Sequence, residues 1–219
     1  MNKEICLGIG CIISGIGVIL APFMKESAED RKQQEILTRW RQEMRQIASE
    51  EETCGTENNF ETGNHFGIGS NSETESNIET GTDGGEASEE VVGILRIPAI
   101  DFENPVLKGA SKQNLNISVA TIEPTGTPGA DGNFAIAGHN SRTYGRHFNR
   151  LSEIKDGAEL FVDTKAGNYA YTVTDVYVVG AEDVWVLGDT IDGAEITLIT
   201  CHYPKEGKTQ RLIVKGIMQ

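Results

Sequence analysis

The chain has 219 residues, enough for one ordinary domain with extensions, and it carries a formal net charge of -14. Residues 1–49 carry 7 basic and 6 acidic side chains, residues 50–90 carry 12 acidic and no basic ones, and residues 91–219 carry 12 basic and 15 acidic ones. Nearly all the acidity therefore belongs to one segment, and nothing in the composition indicates a nucleic-acid-binding protein.

The N-terminal residues predict a membrane anchor. The run ICLGIGCIISGIGVILAPFM, residues 5–24, contains no charged side chain, and about 20 apolar residues span the hydrocarbon of a bilayer as a helix. A cleaved signal peptide is the alternative, but the run is longer than a usual signal core and no small-x-small cleavage site follows it. We therefore assign residues 1–24 to a retained anchor that contacts the membrane through residues 5–24.

Two segments of different character follow the anchor. Residues 25–49 are rich in helix formers and predict a juxtamembrane helix, whose apolar face rests on the membrane or on a neighbouring surface. The apolar residues of that face are Ile36, Leu37, Trp40, Met44 and Ile47. Residues 50–90 are rich in Gly, Ser, Thr, Asn and Glu and poor in apolar side chains, so they predict a disordered acidic linker.

Residues 91–219 predict a β domain. The segments VVGILRIP, NFAIAGH, ELFVD, YAYTVTDVYVVG, EITLITC and QRLIVKGI are rich in β-branched and aromatic residues, and turn signals such as EPTGTPGADG, KDGA and PKEGK separate them. Only SKQNLN and RHFNRLSEI are candidates for short helices. Many short strands at close spacing indicate an all-β barrel or sandwich.

The four cysteines do not form a disulfide framework or a zinc site, because only Cys201 lies in the predicted β domain and no CxxC-like spacing occurs. Cys201 ends the strand EITLITC, at the kind of position where a rigid scaffold presents reactive groups. The alternation of side chains places His202 on the opposite side of the strand from Cys201, and we expect His202 to be the first residue of the loop that follows.

A nucleophilic thiol needs a base or a cation that favours the thiolate, and a group that stabilises charge on the attacked carbonyl. His139 ends the apolar run NFAIAGH and is the candidate base, while Arg211 follows Cys201 across a hairpin-like connection and is the candidate cation. Each residue also has a structural alternative: a buried thiol, a hydrogen-bonded structural histidine and a solvated edge arginine. Spacing alone leaves both interpretations open.

The segment TLITC at residues 197–201, with Arg211 ten residues later and AIAGHN at residues 135–140, resembles the sortases, which are membrane-anchored cysteine transpeptidases of Gram-positive bacteria. The resemblance covers about residues 91–217. It implies an all-β fold, the closed eight-stranded sortase-type β-barrel with short helices, as a catalytic domain over residues 91–219. It also implies that Cys201 is the nucleophile, that His139 is the general acid and base, and that Arg211 positions the substrate or stabilises the oxyanion.

The reaction implied by the resemblance starts when Cys201 attacks the Thr-Gly-type bond of an LPxTG-like sorting signal at the C-terminus of an exported protein. An amine of the cell wall or of a precursor peptide then resolves the thioacyl enzyme. Thr200 is expected to shape the substrate site, and Trp185 lies in AEDVWVLGD, where family members place a substrate-facing loop; a simple barrel cap is the alternative for Trp185.

We expect no cofactor and no metal ion, because the acids near the implied groove match no compact calcium-ligand motif. These acids are Glu123, Asp131, Glu159, Glu182 and Asp183.

The resemblance further implies a single-pass cell-membrane protein with an extracellular catalytic domain. Counting basic residues around the anchor predicts the reverse, since Lys3 alone precedes it and several Lys and Arg residues follow it, but the family resemblance outweighs that count. The chain shows neither an extra C-terminal membrane segment nor the aromatic lid of pilin-polymerising sortases, which favours a class A or class D-like member.

Two other classes of function are alternatives to this one. The first is an anchored cysteine cell-wall hydrolase or L,D-transpeptidase, although NlpC/P60-type hydrolases place the cysteine before the histidine, and here His139 precedes Cys201. The second is a non-catalytic β module that binds a wall polymer.

Overall fold

The computed structural model describes residues 24–47, 90–189, 193–204 and 207–219. Most of these residues form strands. In chain order the elements are helix α1 (24–47), β1 (Val91–Ile97), β2 (Phe102–Leu107), helix α2 (Lys112–Ile117), β3 (Val119–Thr121), β4 (Gly132–Ala137), β5 (Glu159–Asp163), β6 (Asn168–Gly180), β7 (Ala194–His202) and β8 (Gln210–Met218), with 3-10 turns at Pro98–Ile100, Leu151–Glu153 and Val184–Leu187.

The eight strands form a closed barrel in the order β1-β2-β3-β4-β7-β8-β6-β5, and β1 closes the barrel by pairing with β5. The predicted all-β, eight-stranded barrel is therefore confirmed. Two strand pairs are parallel, β2 with β3 and β4 with β7, and the others are antiparallel. The pairing of β4 with β7 is the one that matters for the site, because parallel neighbours end at the same edge of the sheet.

The barrel interior is filled by alternate side chains of the strands, as the period of two requires. In β7, Ile196 and Leu198 are fully buried in the core, whereas the side chains of Ile199 and Cys201 are only half-buried. The largest buried side chain of the core is Tyr171 of β6, whose hydroxyl accepts a hydrogen bond from the backbone N–H of Gly129 at 2.8 Å. The filled interior of the barrel therefore holds the strands in place by packing against their inward-facing side chains.

Helix α1 packs against the outside of the barrel. Ile36 is 4% exposed and contacts Leu107 of β2, while Leu37 and Trp40 contact Ile94 of β1. The sequence pattern located this apolar face, and the structure shows that the barrel covers its centre: Met44 is half-buried and Ile47 is exposed. Burying three such side chains contributes about 1.5 to 3 kcal/mol for each.

The predicted membrane anchor and acidic linker lie outside the described residues, except for Met24 and Glu90 at their ends. Within the described residues, no helix has both the length and the apolar character needed to cross a membrane. Of the two segments predicted as short helices, SKQNLN contributes α2, capped by the Ser111 hydroxyl that accepts from the N–H of Asn114, and RHFNRLSEI contributes only the 3-10 turn Leu151–Glu153.

Candidate active site

The edge at which β4 and β7 end and β8 begins carries the three predicted catalytic residues. Strand β4 runs parallel to β7 and its last residue pairs with Ile199, while β8 runs antiparallel to β7 and places Arg211 directly opposite Cys201. His139 follows the last residue of β4 by two positions. Three neighbouring strands thus bring a histidine, a thiol and a guanidinium to one edge of the barrel.

The thiol of Cys201 lies beside the guanidinium of Arg211. The distance from Nη1 of Arg211 to Sγ of Cys201 is 3.6 Å, and the same Nη1 donates to the carbonyl of Gln210 at 3.2 Å. Both side chains are half-buried. The guanidinium is therefore placed to interact with negative charge that develops at the sulfur or on a carbonyl that the sulfur attacks.

Tyr203 is a neighbour of the thiol that the sequence analysis missed. A side-chain hydrogen bond with Cys201, and then the charge of Cys201, raise the pKa of Tyr203, although this residue is 64% exposed. Its position two residues after Cys201 was the available signal, because side chains two apart along an extended chain point to the same side.

Two backbone hydrogen bonds hold the chain at His139 and at the residue before it. The N–H of Gly138 donates to the carbonyl of Ile199 at 3.0 Å, and the carbonyl of His139 accepts from the N–H of Phe148 at 3.0 Å. Gly138 is required here, since a Cβ atom on it would lie 2.6 Å from Cδ2 of the buried Phe148. The chain around His139 is therefore attached both to β7 and to the returning loop.

The electrostatic surroundings favour the neutral imidazole. His139 is exposed as a residue, but burial of part of its ring lowers its pKa, the nearby guanidinium of Arg146 lowers it further, and Glu29 of α1 acts in the opposite direction. The ring of the buried His147 lies edge-on to it, with 6.2 Å between the ring centroids. A neutral imidazole can accept a proton from a thiol or from an incoming amine.

Arg146 connects this loop to helix α1. Its guanidinium is 2.8 Å from a carboxylate oxygen of Glu29, 2.8 Å from one of Asp30 and 3.8 Å from one of Glu26, and its side chain is only 12% exposed. The first turns of α1 therefore lie against the loop that follows His139. Sequence patterns gave no signal for this contact, because more than 100 residues separate the partners.

His202 is not a partner of the thiol. It belongs to β7 and pairs with Gln210, so the expectation that it starts the loop is wrong by one residue: the β7–β8 ladder continues one pair beyond Cys201. Successive residues of a strand point to opposite faces, and the face of Cys201 is the one shared with its pair partner Arg211.

The two predicted substrate-binding residues occupy different positions. Thr200 is 3% exposed, and its hydroxyl donates to the carbonyl of Gly138 at 2.8 Å, so its side chain links β7 to the His139 segment. Trp185 is 63% exposed on the 3-10 turn Val184–Leu187 and stacks on Tyr177, with 6.1 Å between the centroids and 3° between the ring planes. Next to it, Val186 packs on Ile199 and on Ile213 outside the barrel core.

Among residues 24–47, 90–189, 193–204 and 207–219, no three His, Cys, Asp or Glu side chains converge in a way that could hold a metal ion. Of the acids considered as calcium ligands, Asp183 accepts a hydrogen bond from the N–H of Gly180 at 2.7 Å, which gives it a local structural role.

Residues 95–219 match the family model described as the Sortase domain. Sortase A of Bacillus anthracis is 34% identical over 128 residues, which are 58% of this chain and 60% of that protein. Sortase A of Listeria monocytogenes is 32% identical over 131 residues, which are 60% of this chain and 58% of that protein. The chain thus matches about 60% of the length of these curated relatives.

Solved structures give the same family. The structure of Listeria monocytogenes sortase A has a TM-score of 0.54 at 32% identity, covering 59% of this chain and 87% of that chain. A Clostridium perfringens sortase D5 transpeptidase has a TM-score of 0.54 at 25% identity, covering 60% of this chain and 81% of that chain. Helix α1 lies outside the segment that matches the family model.

Proposed function

The chain belongs to the sortase family, and on that premise we propose that it is a cysteine transpeptidase, which cleaves an LPxTG-like sorting signal of exported proteins and transfers them to an amine of the cell wall. The observation that carries this proposal is the pair formed by Cys201 and Arg211, 3.6 Å apart, at the barrel edge where the segment of His139 also ends. A cysteine nucleophile requires a base or a cation beside its thiol, whereas a wall-binding module or a scaffold does not.

Cys201 is the nucleophile in this proposal. Its thiolate attacks the carbonyl carbon of the scissile peptide bond, and the guanidinium of Arg211, already beside the sulfur, stabilises the negative charge of the thiolate and of the oxyanion that forms. Collapse of that tetrahedral species breaks the C–N bond, gives a thioester on Cys201, and releases the C-terminal fragment as an amine.

His139 moves the protons. Its imidazolium form donates a proton to the departing nitrogen, and the neutral imidazole that remains takes a proton from the incoming amine when this attacks the thioester. Since burial and Arg146 lower the pKa of His139, the neutral form dominates near pH 7 and the acid form is the scarcer one. Because the first step needs both this acid form and the thiolate of Cys201, we expect its rate to fall at both ends of the pH range.

The outer face of the barrel beside the thiol supports a binding role for Trp185. The patch of Val179, Val186 and Ile213 continues along the strands from Cys201, with Ile199 packed against it, and the exposed Trp185 stands at its edge on Tyr177. An apolar floor with an aromatic edge suits the apolar residues of a peptide signal. Thr200 contributes by holding β7 to the His139 segment rather than by touching the substrate.

The proposal extends to the cellular location. Residues 5–24 form a single membrane anchor, and the catalytic domain lies outside the cell, where exported proteins and wall amines are available. Protease added to intact wall-less cells should cut within residues 50–90, and a tract that stays uncut under conditions that digest an exposed control protein refutes this orientation. The relatives include sortases A and D, and a class A or class D-like member remains our assignment.

The direct test uses the full-length chain in detergent, an LPxTG-type peptide and a triglycine acceptor. Mass spectrometry should find a thioacyl adduct on Cys201 and a peptide extended by the acceptor. Cys201→Ala should abolish both products, and His139→Ala should lower turnover by at least about 100-fold, within the range for a lost acid-base group. His202→Ala should keep most of the turnover, since its side chain belongs to the other strand face.

Other results would favour the competing functions. Hydrolysis of the peptide with no transfer to triglycine at any acceptor concentration would indicate a hydrolase. Peptide binding that is equal in the wild type and in Cys201→Ala, with no adduct, would indicate a binding module.

A further inference from the structure

The segment that carries His139 stays attached to β7 beyond the end of β4. Strand β4 ends at Ala137, yet the N–H of Gly138 still donates to the carbonyl of Ile199 at 3.0 Å, as the next bond of the parallel ladder. The following link is made by the Thr200 hydroxyl, which donates to the carbonyl of Gly138 at 2.8 Å. The next link is made by Asn140, whose Nδ2 donates to the carbonyl of Cys201 at 2.8 Å.

The link from Asn140 has a clear geometric reason. In a regular parallel ladder the backbone N–H of residue 140 would donate to the carbonyl of Cys201. Here the backbone of Asn140 turns away from β7 and pairs with His147 in an antiparallel bridge, while the N–H of Phe148 donates to the carbonyl of His139. The side-chain amide of Asn140 therefore replaces the ladder bond that its own backbone has left.

This arrangement lets one side chain link the two chain segments that carry the reacting groups. Asn140 follows His139 directly in sequence, and it bonds to the main chain of Cys201 itself. The contact therefore constrains both the chain that carries the imidazole and the backbone direction from which the thiol projects towards Arg211. Thr200 does not link His139 to Cys201 in this way, since its hydroxyl bonds to Gly138, the residue before His139. The guanidinium of Arg211 contacts Cys201 and Gln210.

We propose that Asn140 is a positioning residue of the site, whose side-chain amide holds the segment of His139 against the carbonyl of Cys201 and so fixes the imidazole relative to the thiol. This inference rests on the proposed function for its catalytic consequence, but the coupling between His139 and Cys201 is a property that is measurable without substrate. Asn140 acts through those two residues and need not touch the peptide.

The variant that tests the proposal is Asn140→Leu, which keeps the approximate shape of the side chain but removes the donor without adding a charge near His139. The matched control is Asn149→Leu. Asn149 belongs to the same loop, its Nδ2 donates to the carbonyl of Ser141 at 2.6 Å, and its Oδ1 accepts from the N–H of Gly145 at 3.2 Å, so the control loses at least as much hydrogen bonding, none of which reaches β7. Asn140→Gln keeps the donor on a longer side chain and serves as the conservative variant.

In the peptide assay with the full-length chain, Asn140→Leu should lower kcat by roughly 10- to 100-fold, the loss that a misplacement of about 1 Å at a reacting group produces, and should leave KM within about threefold. Asn149→Leu should stay within about threefold of the wild type in kcat, and Asn140→Gln should recover part of the loss. Equal losses in the Asn140 and Asn149 variants would overturn the proposal, since a general loosening of the loop would then explain both.

The second measurement does not depend on turnover. The rate at which iodoacetamide alkylates Cys201 is followed by mass spectrometry of the Cys201 peptide across pH 5–9, in a cycle that combines Asn140→Leu with His139→Ala. In the wild-type background His139→Ala should change the rate at neutral pH several-fold, whereas in the Asn140→Leu background it should change it less than twofold. An effect of His139→Ala that is equal in both backgrounds, or absent from both, overturns the proposal.

The two measurements separate this inference from the proposed function. If the wild type forms no thioacyl adduct but the alkylation cycle shows the expected coupling, the transpeptidase assignment fails while Asn140 keeps its positioning role. If the adduct forms and the cycle shows no coupling, the transpeptidase assignment stands and the positioning role of Asn140 is refuted.

Discussion

At the scale of single residues, the buried His147 makes a prediction about pH and stability. Burial, then the charges of Arg146 and of His139, lower the pKa of His147 to about 4, while Asp30 acts in the opposite direction. Its ordinary value is about 6.5, so the unfolded chain binds this proton first as the pH falls. The stability that the neutral imidazole supplies is complete above about pH 6.5 and is lost as the pH falls towards 4.

His147→Asn should therefore flatten the pH dependence of the free energy of unfolding by up to about 3 kcal/mol between pH 7 and pH 4. Asn is the suitable replacement because residue 147 has a φ of 50°, in the left-handed region that Asn tolerates better than most residues. Urea unfolding of both proteins at several pH values measures this difference, and the carboxylates common to both cancel. Parallel curves would show that His147 carries no such linkage.

Some contacts of single residues were predictable from the sequence, and others were not. The pairing of Cys201 with Arg211 was foreseeable, because ten residues with a turn signal between two apolar runs favour a hairpin. The contribution of His139 depends on a parallel pairing across 62 residues, which no local pattern indicates; its place at the end of an apolar run made it a candidate base, and the family resemblance implied its role. Asn140 and Arg146 were missed because their roles depend on partner atoms that only the tertiary structure brings near, whereas Tyr203 was missed although its position two residues after Cys201 offered a signal.

At the scale of elements, helix α1 acts on the catalytic histidine through charge. Arg146 lowers the pKa of His139, and Glu29 of α1, which is paired with Arg146, raises it. Arg146→Gln should therefore raise the pKa of His139, and Glu29→Gln should lower it further. The opposite signs are informative, since a general disturbance of the loop would shift both variants in the same direction.

The measurement is an NMR titration of the His139 ring proton in the full-length chain, assigned with His139→Asn. Arg150→Gln is the matched control, because Arg150 is paired with Glu153 at 2.8 Å and is not a contributor to the pKa of His139. It should leave the His139 titration unchanged. A shift in the control as large as that in Arg146→Gln would contradict a specific role for the α1 contact.

The elements themselves were predictable to different degrees. The long strands were recognisable as apolar runs of β-branched residues, and the helix was recognisable by its 3.6-residue period. The surface that α1 covers was not, since periodicity identifies an apolar face without its partner, and both a membrane and a barrel satisfy the same pattern. Ile94 and Leu107, which receive α1, were readable only as strand residues.

At the scale of the whole molecule, α1 crosses the barrel surface and is tied to it along its length. The ion pairs of Arg146 lie near its start, the buried Ile36, Leu37 and Trp40 lie at its centre, and Glu43 pairs with Lys165 at 2.8 Å towards its end. Undocking would expose these apolar side chains together with Ile94 and Leu107 of the barrel. Because such exposure costs several kcal/mol and a domain is stable by only about 5–15 kcal/mol, we expect helix and barrel to unfold in one transition.

The two tryptophans allow this to be measured, since Trp40 is buried between α1 and the barrel while Trp185 is exposed beside the site. In Trp185→Phe the fluorescence reports Trp40 alone, and its red shift in urea should coincide with the loss of the far-ultraviolet circular dichroism of the strands. Trp40→Ala should lower the free energy of unfolding by about 3–5 kcal/mol, as for other large-to-small core changes. A red shift that precedes the loss of the strands would mean that α1 leaves the barrel independently, and the charges that act on His139 would then be present in only part of the population.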